Sequence, residues 1–216
     1  MTLDVSDKNL VGILRSRTEE YSPDFSQEDI VKRALAAPVA SDRLSELSRG
    51  KNKIVIITSN HTRAVPSRIT LPLLLDEIRS SNPSAEITIL IATGLHRSPT
   101  EAERRSMFGD NIVDNERIVV NNAFAPEEFV ELSPLPSGAS LQINRVALEA
   151  DLLISEGFIE PHFFAGFSGG RKSILPGICS EVTVVQNHSY PAIAHHNAAA
   201  GILNGNPIHE DMVAAA

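Results

Sequence analysis

The chain has 216 residues, of which 42% are apolar, so it can bury the core of one large α/β domain. Its net charge of −8 argues against nonspecific nucleic-acid binding, which needs a basic face. The single cysteine, Cys179, excludes an intramolecular disulfide and an all-thiolate metal site within one chain. We therefore expect a small-molecule partner, and any bound metal must take its ligands from nitrogen or from a cofactor.

Neither the N-terminus nor the apolar runs predict export or membrane insertion. The stretch MTLDVSDKNL is polar and acidic and lacks the basic and apolar regions of a signal peptide. The apolar runs IVIIT at 54–58 and ITILIAT at 87–93 are much shorter than a bilayer span. We expect a cytoplasmic protein with no membrane segment.

In chain order, residues 1–50 are predicted to form a preamble that packs on the main domain, with helices near 26–36 and 41–49. Four runs rich in Ile and Val then predict parallel strands that are buried on both faces. These strands are predicted at 53–58, 86–93, 117–122 and 151–157.

Two helical patterns lie between these strands. One covers 66–80 and opens with a proline, and the other covers 99–108, where Ser98 and Glu101 have capping-box spacing. The alternation predicts an α/β fold for residues 51–216: a doubly wound, mostly parallel, Rossmann-like sheet with helices on both faces.

The last segment, NPIHEDMVAAA, predicts a helix that begins at Pro207 and has no glycine, asparagine or proline to end it. This pattern predicts a chain that stops within a helix, with a second domain missing.

Two polar loops follow predicted strand ends, where open parallel sheets bind their ligands. The first contains Asn60, His61, Thr62 and Arg63. Backbone N–H groups at the start of the next helix, together with an arginine, suit a phosphate or a carboxylate, and the alternative is an ordinary strand-to-helix turn with a solvated arginine. The second loop contains His96, which either faces a ligand or caps the helix that follows.

The segment EPHFFAGFSGGRKSILPGI, residues 160–178, places His162 and Lys172 on either side of a glycine hinge. Gly166 precedes the lysine by six positions and a serine follows it, as in a phosphate-binding P-loop. However, Arg171 stands where a P-loop requires glycine, and the preceding residues are not a clean strand. A structural glycine-rich turn is a further alternative.

Four more histidines follow this segment: His188, His195, His196 and His209. Tandem histidines can bind zinc, but no carboxylate accompanies them at a familiar spacing such as H-E-x-x-H. A plain zinc hydrolase is therefore a poor fit.

Several of these segments, taken in order, resemble the N-terminal half of the nickel-dependent lactate racemase family. They are TSNHTRAVPS, ATGLHRSPTEAE, EPHFFAGFSGGRKSILPGI, QNHSY and NPIHEDM. The similarity covers nearly the whole chain from about residue 50, and its most specific mark is the glycine and lysine segment with its flanking histidines.

The resemblance implies a nickel pincer nucleotide, a pyridinium mononucleotide that grips nickel through two sulfur groups and a ring carbon. It implies that Lys172 joins this cofactor covalently through a thioamide and that His188 completes the nickel coordination. Gly169 and Gly170 would let the backbone approach the nucleotide, and Asn60 would be a further cofactor contact. The enzymes that build the cofactor are then expected partners.

The resemblance also implies that the substrate is a lactate-like 2-hydroxy carboxylic acid, racemised or epimerised by reversible hydride transfer. Its α-hydrogen is only weakly acidic beside an ionised carboxylate, which makes hydride removal the easier route. His96 and His162 match the family's general acid and base, a role that suits imidazole near neutral pH. Arg63 matches an anion-binding position, for substrate carboxylate or cofactor phosphate.

This sequence departs from the family in two ways. Asn60 stands where the family usually has an aspartate, and the C-terminal half that closes the family's cleft is absent, so a separate C-terminal half is a possible partner. The alternatives to a racemase are a cofactor-binding fragment without turnover and a P-loop-like NTPase.

Overall fold

The computed structural model describes residues 4–216 apart from the side chain of Glu19, so residues 1–3 of the predicted preamble lie outside the described residues. The strands are β1 (Lys53–Ser59), β2 (Glu86–Ala92), β3 (Arg117–Val120), β4 (Phe129–Leu132), β5 (Leu141–Asn144), β6 (Leu152–Ser155), β7 (Pro161–His162) and β8 (Gly166–Phe167). The α-helices are α1 (Gln27–Ala36), α2 (Leu44–Leu47), α3 (Ser67–Ser81), α4 (Glu101–Phe108), α5 (Asp110–Asn115), α6 (Arg145–Leu148), α7 (Glu181–Asn187), α8 (Tyr190–Ile193) and α9 (Pro207–Ala215). Short 3-10 helices lie at Asp7–Asn9, Arg17–Glu20, Pro126–Glu128 and Gly170–Ser173.

A four-stranded, all-parallel sheet with the strand order β3-β2-β1-β6 organises the fold. Ile54 of β1 pairs with both Ile87 of β2 and Leu152 of β6. The chain adds β2 and β3 on one side of β1 and later adds β6 on the other. Open α/β sheets bind ligands at such a reversal, which here lies beyond the carboxyl ends of β1 and β6.

Alternate residues of β1 face two different cores, which explains why its sequence is apolar almost throughout. Ile54 and Ile56 pack with side chains of α3, α4 and α5. Val55 and Ile57 pack in a second core, which includes Ile208 of α9. Helices therefore cover both faces, and the prediction of a doubly wound, mostly parallel sheet is confirmed.

The predicted start of α4 is wrong by two residues. The capping box is formed by Thr100 and Glu103 rather than by Ser98 and Glu101. The Thr100 backbone N–H donates to Glu103 Oε2 at 2.7 Å, and the Glu103 N–H donates to Thr100 Oγ1 at 3.3 Å. Arg97 also donates two hydrogen bonds to the Glu103 carboxylate, and this extra pairing favours the later start.

Other predicted boundaries also shift. The predicted helix at 41–49 shortens to α2, and the predicted strands at 117–122 and 151–157 shorten to β3 and β6. Pro66 is the N-cap of α3 rather than part of its first turn. Two antiparallel pairs, β4 with β5 and β7 with β8, were not predicted.

The glycine-rich segment does not form a P-loop. A P-loop joins a strand to an α-helix, whereas this segment consists of the short hairpin β7–β8 followed by the 3-10 helix Gly170–Ser173. The P-loop interpretation is therefore wrong at the level of local structure.

The second half of the predicted preamble packs on α3. The Arg43 guanidinium pairs with Glu77 at 2.9 Å, and the Asn82 side-chain amide donates to the carbonyl oxygens of Ser48 and Lys51, each at 2.7 Å. The domain division at residue 50 and the missing second domain remain predictions. None of the helices in residues 4–216 has the length and apolar character needed to cross a membrane.

Candidate active site

A cavity of about 460 Å³ lies at the carboxyl ends of the parallel strands. Its walls come from the loops after β1, β2 and β6, from the glycine-rich segment and from the end of α7. It brings together seven of the eight predicted site residues, namely Asn60, Arg63, His96, His162, Gly169, Lys172 and His188. Gly170 does not line it.

The cavity lining carries no acidic side chain, although the chain has a net charge of −8. Its charged side chains are Arg63 and Lys172. Arg63 is exposed, and its guanidinium has no hydrogen bond or ion pair within residues 4–216. Such a lining favours an anionic ligand.

Lys172 and His162 form a close pair inside the cavity. The lysine Nζ lies 3.3 Å from His162 Nε2, and the Ala165 backbone N–H donates to His162 Nδ1 at 3.4 Å. Burial, reinforced by the positive charges of Arg63 and Arg171, lowers the pKa of Lys172 to about 8. Burial and then the Lys172 charge lower the pKa of His162 to about 4. The imidazole is therefore neutral at physiological pH, and part of the lysine is the nucleophilic free amine.

His188 caps the C-terminal end of α7 and faces the same space. Its ring packs edge-on against Phe164, with 4.9 Å between the ring centroids. Burial, followed by the charge of Lys172, lowers its pKa to about 4. Its buried Nδ1 has no hydrogen-bond partner among the described residues. A neutral imidazole with a ring nitrogen free of hydrogen bonds can act as a metal ligand.

Asn60 and His96 meet across two strand-end loops. Asn60 is only 3% exposed, and its Nδ2 lies 3.2 Å from His96 Nδ1. The Thr62 hydroxyl lies 3.1 Å from the same ring nitrogen. Burial, followed by the charges of Arg63 and His61, lowers the pKa of His96. His96 therefore presents a third neutral imidazole to the cavity.

Both glycines adopt a left-handed backbone conformation, and Gly169 is also closely packed. Gly169 has φ of 79°, and a Cβ there would lie 2.8 Å from the Phe158 carbonyl oxygen. Gly170 has φ of 53° in open space. Both conformations favour glycine without any ligand, and approach to a nucleotide remains a prediction.

Arg171 is the basic neighbour of Lys172 but does not line the cavity. It donates to the carbonyl oxygens of Ala165 at 2.8 Å and Phe167 at 3.1 Å, and its Nε donates to His209 Nδ1 at 2.7 Å. Arg171 therefore ties the hairpin β7–β8 to α9 and holds its neighbour Lys172 in place.

Ser168 lines the cavity, but nothing in its sequence context marked it as a site residue. Its side chain is buried, and its hydroxyl has no hydrogen-bond partner in the described chain. A ligand that reaches this hydroxyl could satisfy it.

The tandem histidines do not form a metal centre in the described chain. The rings of His195 and His196 are adjacent, with 4.4 Å between their centroids, but they lie outside the cavity lining. Between residues 4 and 216, no three His, Cys, Asp or Glu side chains are grouped in a way that could hold a metal ion. A metal held by His188 would therefore need further ligands from outside this set of side chains.

Comparison with known proteins gives consistent matches over the whole chain. The lactate racemase from Thermoanaerobacterium thermosaccharolyticum is 55% identical and the lactate racemase from Lactiplantibacillus plantarum is 50% identical, each over all 216 residues. In both cases the match covers 51% of the relative. The chain thus spans about half the length of the curated relatives that it matches.

Two solved structures also match this chain over about half of their own length. The lactate racemase apoprotein from T. thermosaccharolyticum superposes with a TM-score of 0.90 at 54% identity, over 100% of this chain and 50% of that one. A Thermotoga maritima protein superposes with a TM-score of 0.72 at 23% identity, over 88% of this chain and 47% of that one, and it shares the fold. The family model of the lactate racemase N-terminal domain matches residues 1–201. The chain therefore belongs to the lactate racemase family.

Proposed function

We propose that residues 51–216 form the cofactor-binding part of an enzyme that racemises or epimerises a lactate-like 2-hydroxy carboxylic acid. The observation that carries this proposal is one cavity without acidic side chains that contains three neutral imidazoles, a lysine with a lowered pKa and an arginine without a hydrogen-bond or ion-pair partner in the described chain. The relatives named lactate racemase are about twice as long, so the complete enzyme would include a C-terminal half.

The side chains of the cavity suit both ends of such a substrate. A 2-hydroxy acid has a carboxylate that the Arg63 guanidinium can bind in a bidentate manner. Its hydroxyl must lose a proton when the carbon is oxidised and regain it afterwards. His96 and His162 would exchange that proton, because a neutral imidazole can accept a proton and the imidazolium that results can return it.

The residues of the cavity also fit a nickel pincer nucleotide. Lys172 offers an amine that can form an amide-type bond, and His188 offers a ring whose Nδ1 has no hydrogen-bond partner in the described chain. The volume of about 460 Å³ is in the range of small-molecule sites, and the cationic lining suits a phosphate. The chemistry that this cofactor supplies when bound is reversible acceptance of a hydride.

Cys179 would play no part in this chemistry. It is buried outside the cavity lining, and burial raises the pKa of its thiol to about 12. A thiol with this pKa stays protonated at physiological pH, and its place outside the lining keeps it away from a metal held in the cavity. Sulfur ligands from the cofactor are therefore consistent with this site.

The test is to produce the chain together with the enzymes that build the cofactor and to record its intact mass and nickel content. We expect a covalent adduct that maps to Lys172, with about one nickel per chain in this one-site proposal. Lys172→Arg keeps the positive charge but should abolish the adduct. The control Lys53→Arg, on an exposed lysine at the start of β1, should keep it. An adduct that persists in Lys172→Arg would refute the proposed attachment.

The second candidate function is cofactor binding without turnover. It is favoured by Asn60, which replaces the aspartate expected from the family resemblance, and by the match to half of each relative. The two candidates separate in one assay of the loaded chain supplied with the remaining half of the enzyme. Racemisation of any 2-hydroxy acid supports the first, and adduct with nickel but no racemisation supports the second.

A further inference from the structure

The side-chain amide of Asn60 is locked in one orientation. The Thr62 backbone N–H donates to Asn60 Oδ1 at 3.0 Å, and the Thr62 hydroxyl donates to the same oxygen at 2.6 Å. A backbone N–H can only donate, so the amide atom that faces it must be the oxygen. The side chain is 3% exposed, which leaves little water to stabilise the flipped amide.

This orientation turns the amide nitrogen toward His96. Asn60 Nδ2 lies 3.2 Å from His96 Nδ1, and it also points toward the Thr93 carbonyl oxygen at 3.5 Å. An amide NH₂ group donates and cannot accept, so His96 Nδ1 must be the acceptor. A neutral imidazole whose Nδ1 accepts carries its hydrogen on Nε2.

The second neighbour of His96 does not decide the tautomer. The Thr62 hydroxyl lies 3.1 Å from His96 Nδ1, and its single hydrogen can turn from Asn60 Oδ1 to this nitrogen, because the Thr62 backbone N–H alone still holds Oδ1. It therefore fits either tautomer of the ring, whereas the Asn60 amide fits only one.

We propose that Asn60 is a positioning residue that fixes His96 in the tautomer with hydrogen on Nε2. Since Nδ1 is occupied by Asn60 and Thr62, Nε2 is the ring nitrogen left for a ligand in the cavity. It meets that ligand as a hydrogen-bond donor. This inference rests on the proposed function for its catalytic meaning: Nε2 presents no lone pair to the substrate, so the neutral ring of His96 can donate a hydrogen bond there but cannot accept the hydroxyl proton.

A carboxylate at position 60 would reverse the arrangement. It would accept a hydrogen bond from Nδ1–H and so leave the Nε2 lone pair facing the cavity. An asparagine in place of an aspartate beside a catalytic histidine is known in another enzyme class to impose the wrong tautomer and to reduce turnover strongly. The identity of residue 60 would therefore set how effective His96 is as a base.

The test is NMR of the chain labelled with ¹⁵N in its histidine rings, without cofactor. Long-range proton–nitrogen correlations distinguish a protonated from an unprotonated ring nitrogen, and His96→Gln assigns the His96 signals by their loss. We expect hydrogen on Nε2 in the unmodified chain and on Nδ1 in Asn60→Asp. Thr62→Val, which keeps the backbone N–H but removes the hydroxyl, should leave the tautomer unchanged.

Hydrogen on His96 Nδ1 in the unmodified chain would overturn the proposal, and this measurement needs no variant to fold. A tautomer that does not respond to Asn60→Asp would overturn it as well, with the other six histidine signals reporting that the variant is folded. In the loaded complete enzyme, we expect Asn60→Asp to raise kcat by on the order of 10²-fold. Because the NMR measurement requires no cofactor, it can fail while the covalent-adduct test succeeds, and the reverse is also true.

Discussion

At the scale of single residues, the charge of Lys172 affects the protonation of the two histidines nearest to it. After burial, it is the largest cause of the low pKa of both His162 and His188, each about 4. Lys172 in turn has a pKa of about 8 because it is buried near two arginines. A covalent bond that turned this amine into an amide would remove the charge and make His162 a stronger base.

This coupling predicts that Lys172→Met raises the pKa of His162. The value should rise from about 4 but stay below the ordinary 6.5, because burial is the largest cause of the shift and is retained. An NMR titration of the His162 ring measures it. The control Lys53→Met, on an exposed lysine at the other end of β1, should leave the His162 pKa unchanged. An unaltered pKa in Lys172→Met would show that the lysine charge does not reach the imidazole.

The sequence could not reveal how these residues contact one another. Asn60 and His96 are 36 positions apart, and only the pairing of β1 with β2 brings their loops together. Arg171 and Lys172 are adjacent and both basic, yet one binds backbone carbonyl oxygens and the other lines the cavity. The roles assigned through the family resemblance remain predictions, whereas their shared location is a property of the fold.

At the scale of elements, the central strands could be predicted because burial on both faces requires nearly continuous Ile and Val. The start of α4 could not, because two candidates with the same spacing stand two residues apart, Ser98 with Glu101 and Thr100 with Glu103. Arg97 favours the second candidate, because it donates two hydrogen bonds to the Glu103 carboxylate. The strands β4 and β5 are four residues long and mix polar with apolar side chains, so no pattern marks them.

The capping assignment predicts different effects for two similar substitutions. Thr100→Ala removes the hydroxyl that accepts from the Glu103 N–H, and it should lower the free energy of unfolding by about 1 kcal/mol. Ser98→Ala removes a hydroxyl that caps nothing, and it should change stability by less than about 0.5 kcal/mol. Urea unfolding of both variants measures the difference. If Ser98→Ala lowered the free energy of unfolding more than Thr100→Ala did, Ser98 would be the N-cap of α4 and the assignment to Thr100 would be wrong.

At the scale of the whole molecule, an acidic chain encloses a cavity without acidic side chains. The cavity instead contains His162, Lys172 and His188, whose pKa values are lowered by burial and by neighbouring positive charges. Such groups make folding depend on pH, because the folded chain resists protons that the unfolded chain accepts.

This dependence predicts that the chain loses stability as pH falls below neutrality. His162 and His188 have pKa values of about 4 when folded and about 6.5 when unfolded, so between these values the unfolded state binds more protons. The free energy of unfolding should be highest above pH 6.5 and decrease as pH falls toward 4. The lowered pKa values of His96 and His209 act in the same direction.

Glu156 opposes the histidines, because burial raises its pKa and the folded state then holds its proton more tightly. One carboxyl acts against four imidazoles, so the histidines should decide the sign. We expect the thermal midpoint to fall between about pH 7.5 and about pH 5. Relative to the unmodified chain, the slope should be shallower in His162→Gln and steeper in Glu156→Gln. A midpoint that stays constant over this range would mean that the cavity histidines take up protons in the folded chain as readily as in the unfolded one.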